Sequence, residues 1–375
     1  MLTTEFLIIG GGIAGASAGY ALAEHGSVIL VEREEQCGYH TTGRSAALLT
    51  EAWESPPIRR ITASGREFFE DPPFRFTEVP LVSPRPIMLI GRSDQGGTVD
   101  SAVAAARRQV PSVRLIDGEE AVELCPVLRP GYVDRAVLEP HGRTIDVDAL
   151  LQGFLRGIRR RRGRVLTASP VTAVDRGGDG WIVSAGAETI RSDYLINAAG
   201  SWADQVAVLA GIEPIGLQPK RRTAFTFPAP EGFDIRSWPA VIDIDEQFYF
   251  EPEGVQLLGS PADQTPMDPH DVRHEEIDVA LGIERIQAAT TLEIRSIRRA
   301  WAGLRTFTPD GVPVIGPDPE IPHFIWLAGQ GGFGIMTSPG LAAMATSLII
   351  DGELPESSRR GGIDEADLLP NRFRV

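Results

Sequence analysis

Phe6-Leu7-Ile8-Ile9-Gly10-Gly11-Gly12-Ile13-Ala14-Gly15, continued by Ala16-Ser17-Ala18-Gly19 and then by Val28-Ile29-Leu30-Val31-Glu32, is the stretch on which the fold turns. Four consecutive apolar residues ended by glycine predict a strand buried on both faces, and the run of small residues predicts a helix packed closely on it. With Val28 to Val31 as a second strand, the unit occupies about 30 residues, the size of one βαβ element. Gly10, Gly12 and Gly15 have the spacing G-x-G-x-x-G within it. The first permits the turn, the second lets backbone approach a pyrophosphate, and the third lets helix lie on strand. An anion placed there meets the free N–H groups and the dipole of a helix start. Glu32 closes the second strand with a carboxylate that accepts from ribose hydroxyls and repels a 2′-phosphate. The sequence therefore predicts an α/β fold that binds a dinucleotide.

Outward from this unit, the 375 residues suggest two or three domains at roughly 150 residues each. Apolar residues make up 42% and charged residues 23%, the balance of an ordinary folded chain. The net charge of -15 repels nucleic-acid phosphates and anionic lipid, so a nucleic-acid role is disfavoured. The apolar runs are strand-sized, short of the ~20 residues that cross a bilayer. The first residues carry no basic, apolar and cleavable signal pattern, which predicts a cytoplasmic location. Cys37 and Cys125 are too few for a disulfide framework or a structural zinc site, so no metal is expected.

Leu150, Leu151, Phe154, Leu155 and Ile158 recur at helical spacing and predict an amphipathic helix from Asp148 to Arg162. Short strands follow at Val165 to Ala168, Ala173-Val174, Trp181 to Val183 and Tyr194 to Ile196. Phe324 to Leu327 and a helix from Leu341 to Ile350 resume the first pattern. Between them lie two proline-rich inserts with short alternating apolar stretches, which predict a second, mostly antiparallel unit. The division expected is 1–80, 145–219 and 304–375 for the nucleotide-binding domain, and 81–144 and 220–303 for the substrate domain.

Three further segments carry a resemblance: Gly38-Tyr39-His40-Thr41-Thr42-Gly43-Arg44-Ser45-Ala46-Ala47, Asn197-Ala198-Ala199-Gly200-Ser201-Trp202, and Gly329-Gln330-Gly331-Gly332-Phe333-Gly334. With the dinucleotide turn they resemble the D-amino-acid oxidase superfamily of flavoproteins. Leu217 to Arg222 and Trp301 to Arg305 extend the likeness to its bacterial D-arginine dehydrogenases. The resemblance implies a glutathione-reductase-type, Rossmann-like domain with an inserted antiparallel sheet, and non-covalent FAD as cofactor. It implies Gly10, Gly12, Ala14 and Gly15 at the pyrophosphate turn, Glu32 and Arg33 at the adenosine, and Thr41, Thr42, Gly43, Arg44, Ser45, Ala46, Ala47 and Leu48 along the pyrophosphate and flavin. Val171 would touch the adenine by its backbone. Ala199, Gly200, Trp202 and Gly303 would complete the walls, and Gly331, Gly332, Phe333, Gly334, Ile335, Met336 and Thr337 would face the pyrimidine edge of the flavin. A glycine loop rich in N–H groups suits that edge, because negative charge develops there on reduction.

Arg222 and Arg305 match the family's substrate arginines. A guanidinium fork grips a carboxylate at two points and orients it. Tyr249 matches a substrate-contacting tyrosine, and Gly332 lies beside the same space. Three positions depart from the D-arginine dehydrogenases: Leu48 stands for a histidine, Trp53 for a tyrosine, and Ile87 for the glutamate that would pair with a cationic side chain. Met336 replaces a glutamine. An unpaired buried cation is costly, so neutral or apolar side chains are expected to be preferred, unless an acid such as Glu246 takes over. A 2-hydroxy acid needs a base for its hydroxyl proton, which the loss of the histidine disfavours. The expected reaction is that of an FAD-dependent D-amino-acid dehydrogenase: oxidation at Cα, hydrolysis of the imino acid to a 2-oxo acid and ammonia, and electrons passed to a quinone or other acceptor. An oxidase acting on glycine, sarcosine or D-amino acids with O2, a 2-hydroxy-acid dehydrogenase and a non-catalytic FAD-binding module remain as alternatives.

Overall fold

Strand Leu2–Ile9 is buried along its second half because parallel neighbours flank it, Val28–Val31 on one side and Glu188–Asn197 on the other. The computed structural model describes residues 1–374. Its first sheet has eight strands. Arg164–Leu166 joins in parallel beyond Val28–Val31, and Phe324–Ala328 joins in parallel at the end of Glu188–Asn197. The hairpin of Val171–Gly177 and Gly180–Ala185 and the strand Val314–Pro317 add antiparallel edges.

Helices cover both faces, as a parallel core requires. Ile13, Leu155, Ile158, Leu341 and Met344 bring helices Ile13–Leu22, Val147–Arg160 and Gly334–Ile350 onto one face. Ala203, Val206 and Ala207 of helix Ala203–Leu209 pack with Trp181, Phe324 and Trp326 on the other.

A second, ten-stranded sheet runs from Gln330–Gly331 through Arg299–Phe307, Gln218–Pro228, Gln256–Ser260, Tyr249–Glu253, Ala240–Asp243, Ile87–Gly91 and Arg135–Glu139 to Arg114–Asp117. Its neighbours are antiparallel except Ala240–Asp243 against Ile87–Gly91. Thr265–Pro266 pairs beside Gln218–Pro228. One face is sealed by Phe225, Phe227, Phe250, Val279 and Ile286. A three-stranded sheet of Leu48–Leu49, Arg143–Ile145 and Val82–Pro84 lies apart from both.

Two helices begin earlier than their apolar spacing predicts. The amphipathic helix starts at Val147, with Asp146 accepting from the Ala149 N–H at 2.8 Å, and ends at Arg160. Arg161 beyond it stacks on Tyr20 at 4.3 Å and pairs with Glu24. The last helix starts at Gly334, seven residues before Leu341, and absorbs Pro339. That proline leaves the Ile335 carbonyl without an amide donor, and the Ser338 hydroxyl donates to it at 2.9 Å. Among the described residues no helix is long and apolar enough to cross a membrane.

Candidate active site

Strand register decides which side chains of the second sheet meet. Lys220 pairs with Arg305, and Arg222 with Gly303. Opposed residues and alternate residues share a face, so Lys220, Arg222 and Arg305 stand together. Tyr249 pairs with Ser260, and Phe225 with Gly259, which brings Tyr249 to the same face and leaves Phe225 on the sealed one. Arg221 points away from this face and is buried in ion pairs with Asp263, Asp278 and Glu275.

One cavity runs from the dinucleotide turn to this face. Gly10, Gly12, Ala14, Glu32, Arg33 and Val171 line one end. Thr41, Thr42, Arg44, Ser45, Ala46, Ala199, Gly200 and Trp202 line its length. Gly303, Arg305, Arg222, Tyr249, Gly331, Gly332, Gly334 and Ile335 line the other end. The remaining candidates stand behind the wall. Gly15 packs on the Gly10 carbonyl, and the Gly43 N–H bonds to the Gly38 carbonyl at 2.7 Å. Ala47 and Phe333 pack against the first core, while Met336 and Thr337 are buried in the last helix. Leu48 pairs with Thr144 in the small sheet. Trp53 packs on a cluster containing Ala52 and Ile244, and Ile87 is wholly buried opposite Glu139.

The turn is held tightly. Gly10 adopts φ +110°, and a Cβ there would lie 2.3 Å from the Ala198 carbonyl oxygen. Both oxygens of Glu32 accept backbone N–H groups, from Gly11 at 2.7 Å and Glu34 at 2.9 Å. The Thr42 hydroxyl accepts from the Ile13 N–H at 3.0 Å, and no side chain of the adjoining turn caps that helix. Residues 41–45 then cross to the second sheet as a strap. Thr41 donates to the Leu304 carbonyl at 2.7 Å, Arg44 to the Ala302 and Val272 carbonyls at 3.0 Å, and the Trp301 indole to the Arg44 carbonyl at 3.0 Å. Arg33 lies 5.1 Å over Trp202, whose ring meets His40 at a tilt of 47°.

At the other end Arg305 packs directly on the glycine loop. A Cβ on Gly332 would sit 2.1 Å from its guanidinium. Burial and the neighbouring Arg222 push Arg305 down to about 10. Arg222 donates through Nε to the Asp263 carbonyl at 2.9 Å and lies 6.0 Å over the Tyr249 ring, while its Nη2 is buried without a partner. Nε2 of Gln330, a residue on the cavity wall, is likewise buried and unpartnered.

Two acids with left-handed backbone lie in nearby connections, Glu246 at φ +53°, which the sequence offered as an acid that takes over, and Glu54 at φ +82°, which it did not; both are exposed and neither lines the cavity. Glu139 accepts from the Thr50 hydroxyl at 2.6 Å, and its burial raises it to about 7. A carboxyl raised from 4.5 to about 7 favours the protonated native state. That contribution is complete below the unfolded value, declines as pH rises, and is gone above about 7, a change of roughly 3 kcal/mol. Glu139→Gln is therefore expected to raise Tm at pH 8 by a few degrees and to flatten its fall between pH 5 and pH 8. Thermal melts showing the wild-type slope in the variant would refute this.

These features fit a flavin dinucleotide. The turn leaves the Gly12 side open except for Thr42 Oγ1 at 3.4 Å, a helix start lies at each end of the cavity, and two buried donors lack partners inside it.

The sequence over residues 5–348 matches the family model described as FAD dependent oxidoreductase. Mitochondrial dimethylglycine dehydrogenase of Rattus norvegicus is 25% identical over 98% of this chain and 45% of its own length. The chain thus spans about half of such relatives. Glycine oxidase of Bacillus licheniformis is 24% identical, covering 92% of this chain and 93% of that protein. The fold matches L-proline dehydrogenase from P. horikoshii with a TM-score of 0.83 at 21% identity, covering 98% and 99% of the two chains. It matches glycine oxidase from Geobacillus kaustophilus with a TM-score of 0.84 at 18% identity, covering 95% and 96%. With a glycine-rich turn, a strap and a second glycine loop lining one cavity, and a family match over most of its length, the chain belongs to the FAD-dependent oxidoreductase family of the D-amino-acid oxidase type.

Proposed function

We propose that this protein oxidises the Cα–N bond of an amino acid, giving an imino acid that water converts to a 2-oxo acid and ammonia. The observation that carries the reading is that Arg222, Tyr249 and Arg305 share one sheet face and one cavity with the dinucleotide turn. Bound FAD supplies the acceptor for the hydride leaving Cα. The protein's part is orientation: Arg305 and Arg222 hold the carboxylate by charge-assisted hydrogen bonds and Tyr249 donates its O–H. The start of helix Gly334–Ile350 directs its positive dipole end at the cavity, where it stabilises developing negative charge. FAD is held without a covalent bond, electrons pass to a quinone or similar acceptor, and the two units divided at 80/81, 144/145, 219/220 and 303/304 bind cofactor and substrate respectively.

The D configuration and a neutral side chain are our reading from the likeness to D-arginine dehydrogenases; Trp53 and Ile87 stand where that likeness has polar groups, but behind the cavity wall and not on it. Oxidation of glycine or an N-methylated glycine is the second reading, favoured by relatives named glycine oxidase, sarcosine dehydrogenase and dimethylglycine dehydrogenase. Anaerobic mixing with D- and L-amino acids, N-methylglycines and 2-hydroxy acids tests both, read as bleaching of the flavin band near ~450 nm. Bleaching by neutral D-amino acids supports the first reading. Bleaching only by a hydroxy acid overturns it, and rapid recovery in air makes the protein an oxidase.

Glu32 offers a separate check on cofactor binding. Glu32→Ala leaves the Gly11 and Glu34 N–H groups without their acceptor and removes the ribose acceptor. Two charge-assisted hydrogen bonds lost predict FAD retention weaker by at least about tenfold. Flavin fluorescence released on dilution measures it, and unchanged retention would refute the assignment.

A further inference from the structure

Strand Gln218–Pro228 turns Arg222 to the cavity and its neighbours Arg221 and Thr223 to the other face, as the alternation of a strand requires. Asp263, in the connection that follows strand Gln256–Ser260, touches all three. Its main-chain carbonyl accepts from Nε of Arg222 at 2.9 Å. Its carboxylate accepts from the Thr223 N–H at 2.6 Å and from the Thr223 hydroxyl at 3.2 Å, and lies 3.5 Å from Nε of Arg221. One residue therefore holds the Arg222 side chain and both of the residues that flank it. Asp263 is in turn fixed from behind. Arg221 is 4% exposed and pairs also with Asp278 at 2.7 Å and with Glu275, at the start of helix Glu276–Ala289. Arg285 of that helix donates to the Pro261 carbonyl at 2.9 Å. The Ser260 hydroxyl donates to the Thr223 carbonyl at 2.6 Å and accepts from the Ala262 N–H at 3.1 Å. Ala262 has left-handed backbone, φ +55°, a strained conformation that persists where its surroundings over-determine it. Buried ion pairs add little net stability over apolar packing, so what this network supplies is a fixed corner beside Arg222.

We propose that Asp263 is the positioning residue of Arg222, and that by occupying Nε it leaves the Nη end of the guanidinium as the edge offered to the substrate carboxylate. The inference rests on the amino-acid reading above and deepens it. A guanidinium grips a carboxylate at two points either through Nε and one Nη or through both Nη groups. With Nε bonded to the Asp263 carbonyl, the second mode is the one left. Nη2 is buried without a partner, a state that is costly until an acceptor arrives, and the Tyr249 ring 6.0 Å away closes the other side of the group. Ser260 pairs with Tyr249 in strand register, so the same corner sets the spacing between the two residues assigned to the carboxylate.

The test uses the FAD-loaded protein and 2-aminoisobutyrate, a carboxylate whose Cα bears no hydrogen, so that binding is read from the flavin absorbance without turnover. Asp263→Ala keeps the main-chain carbonyl but removes the grip that places it, and leaves Arg221 paired with Asp278 and Glu275. It is expected to weaken 2-aminoisobutyrate by about tenfold and to raise KM for an oxidised amino acid in parallel, with FAD retained. Asp263→Asn restores an acceptor for the Thr223 N–H and is expected to recover most of the loss. In an Arg222→Met background the Asp263→Ala change should alter neither quantity, because the group it positions is gone. Equal losses in the two backgrounds would make Asp263 a support of the fold alone and overturn the proposal, as would wild-type affinity in Asp263→Ala. Should the alanine variant not fold, the same cycle is run with Asp263→Glu, which keeps the charge and displaces the corner; its loss must likewise vanish with Arg222→Met. Binding of neither 2-aminoisobutyrate nor acetate by the wild type overturns the amino-acid reading, and the proposal with it, before any variant is made.

Discussion

Gly332→Ala is expected to slow substrate-dependent flavin bleaching by about 100-fold or more while leaving FAD in place. The added Cβ would stand 2.1 Å from Nη2 of Arg305, 2.2 Å from Cζ and 2.4 Å from Nε, closer than any nonbonded contact allows. The guanidinium must move away, because strand pairing through Thr306↔Gly331 and Phe307↔Gln330 holds the loop backbone. Displacing an orienting group by about 1 Å costs on the order of 100-fold in rate. Gly332 is one residue at the flavin end of the cavity, and the nucleotide turn and strap at Gly10, Gly12, Glu32 and Thr42 are untouched, so FAD is expected to stay bound. Stopped-flow reduction with the flavin spectrum as internal control separates the effects. A variant reducing at the wild-type rate would mean that Arg305 does not work in the position seen here.

Arg305→Met should lower kcat/KM still further, by roughly 10²–10⁴, since a carboxylate loses two charge-assisted hydrogen bonds worth about 1.5–3 kcal/mol each. Arg305→Lys retains charge without the planar fork and should recover only part of the loss. The loss should appear with every carboxylate substrate regardless of side chain. A loss confined to one side chain would recast Arg305 as a specificity residue.

The nucleotide end was legible in the sequence because its requirements are local. Gly10, Gly12, Gly15 and Glu32 act within one βαβ unit, where spacing along the chain is nearly spacing in space. Arg222, Tyr249 and Arg305 came from resemblance, and their meeting depends on strand register, which composition does not express. Of the two acids with left-handed backbone in the nearby connections, the sequence offered Glu246 as one that takes over the lost charge, whereas Glu54, two residues before a proline pair in an exposed loop, carries no spacing signal. Ile87 shows the converse. Its substitution for an acid suggests a greasy wall, yet it lies behind the cavity with Glu139 beside it on the next strand. The early start of the last helix escaped notice because glycine and proline argue against helix, and only the Ser338 bond to Ile335 makes room for them.

Lys220 is the only lysine in these 375 residues, and its ammonium rests 4.9 Å over the Phe307 ring on the face shared with Arg305. Amine-directed reagents therefore meet one side chain in the whole sequence besides the terminal amine. A fluorophore or isotopic methyl group introduced at that nitrogen becomes a single spectroscopic reporter one strand away from the carboxylate clamp. Shielding of the same nitrogen from acylation when the cavity is filled can be followed by intact mass, with no competing lysine to blur the reading.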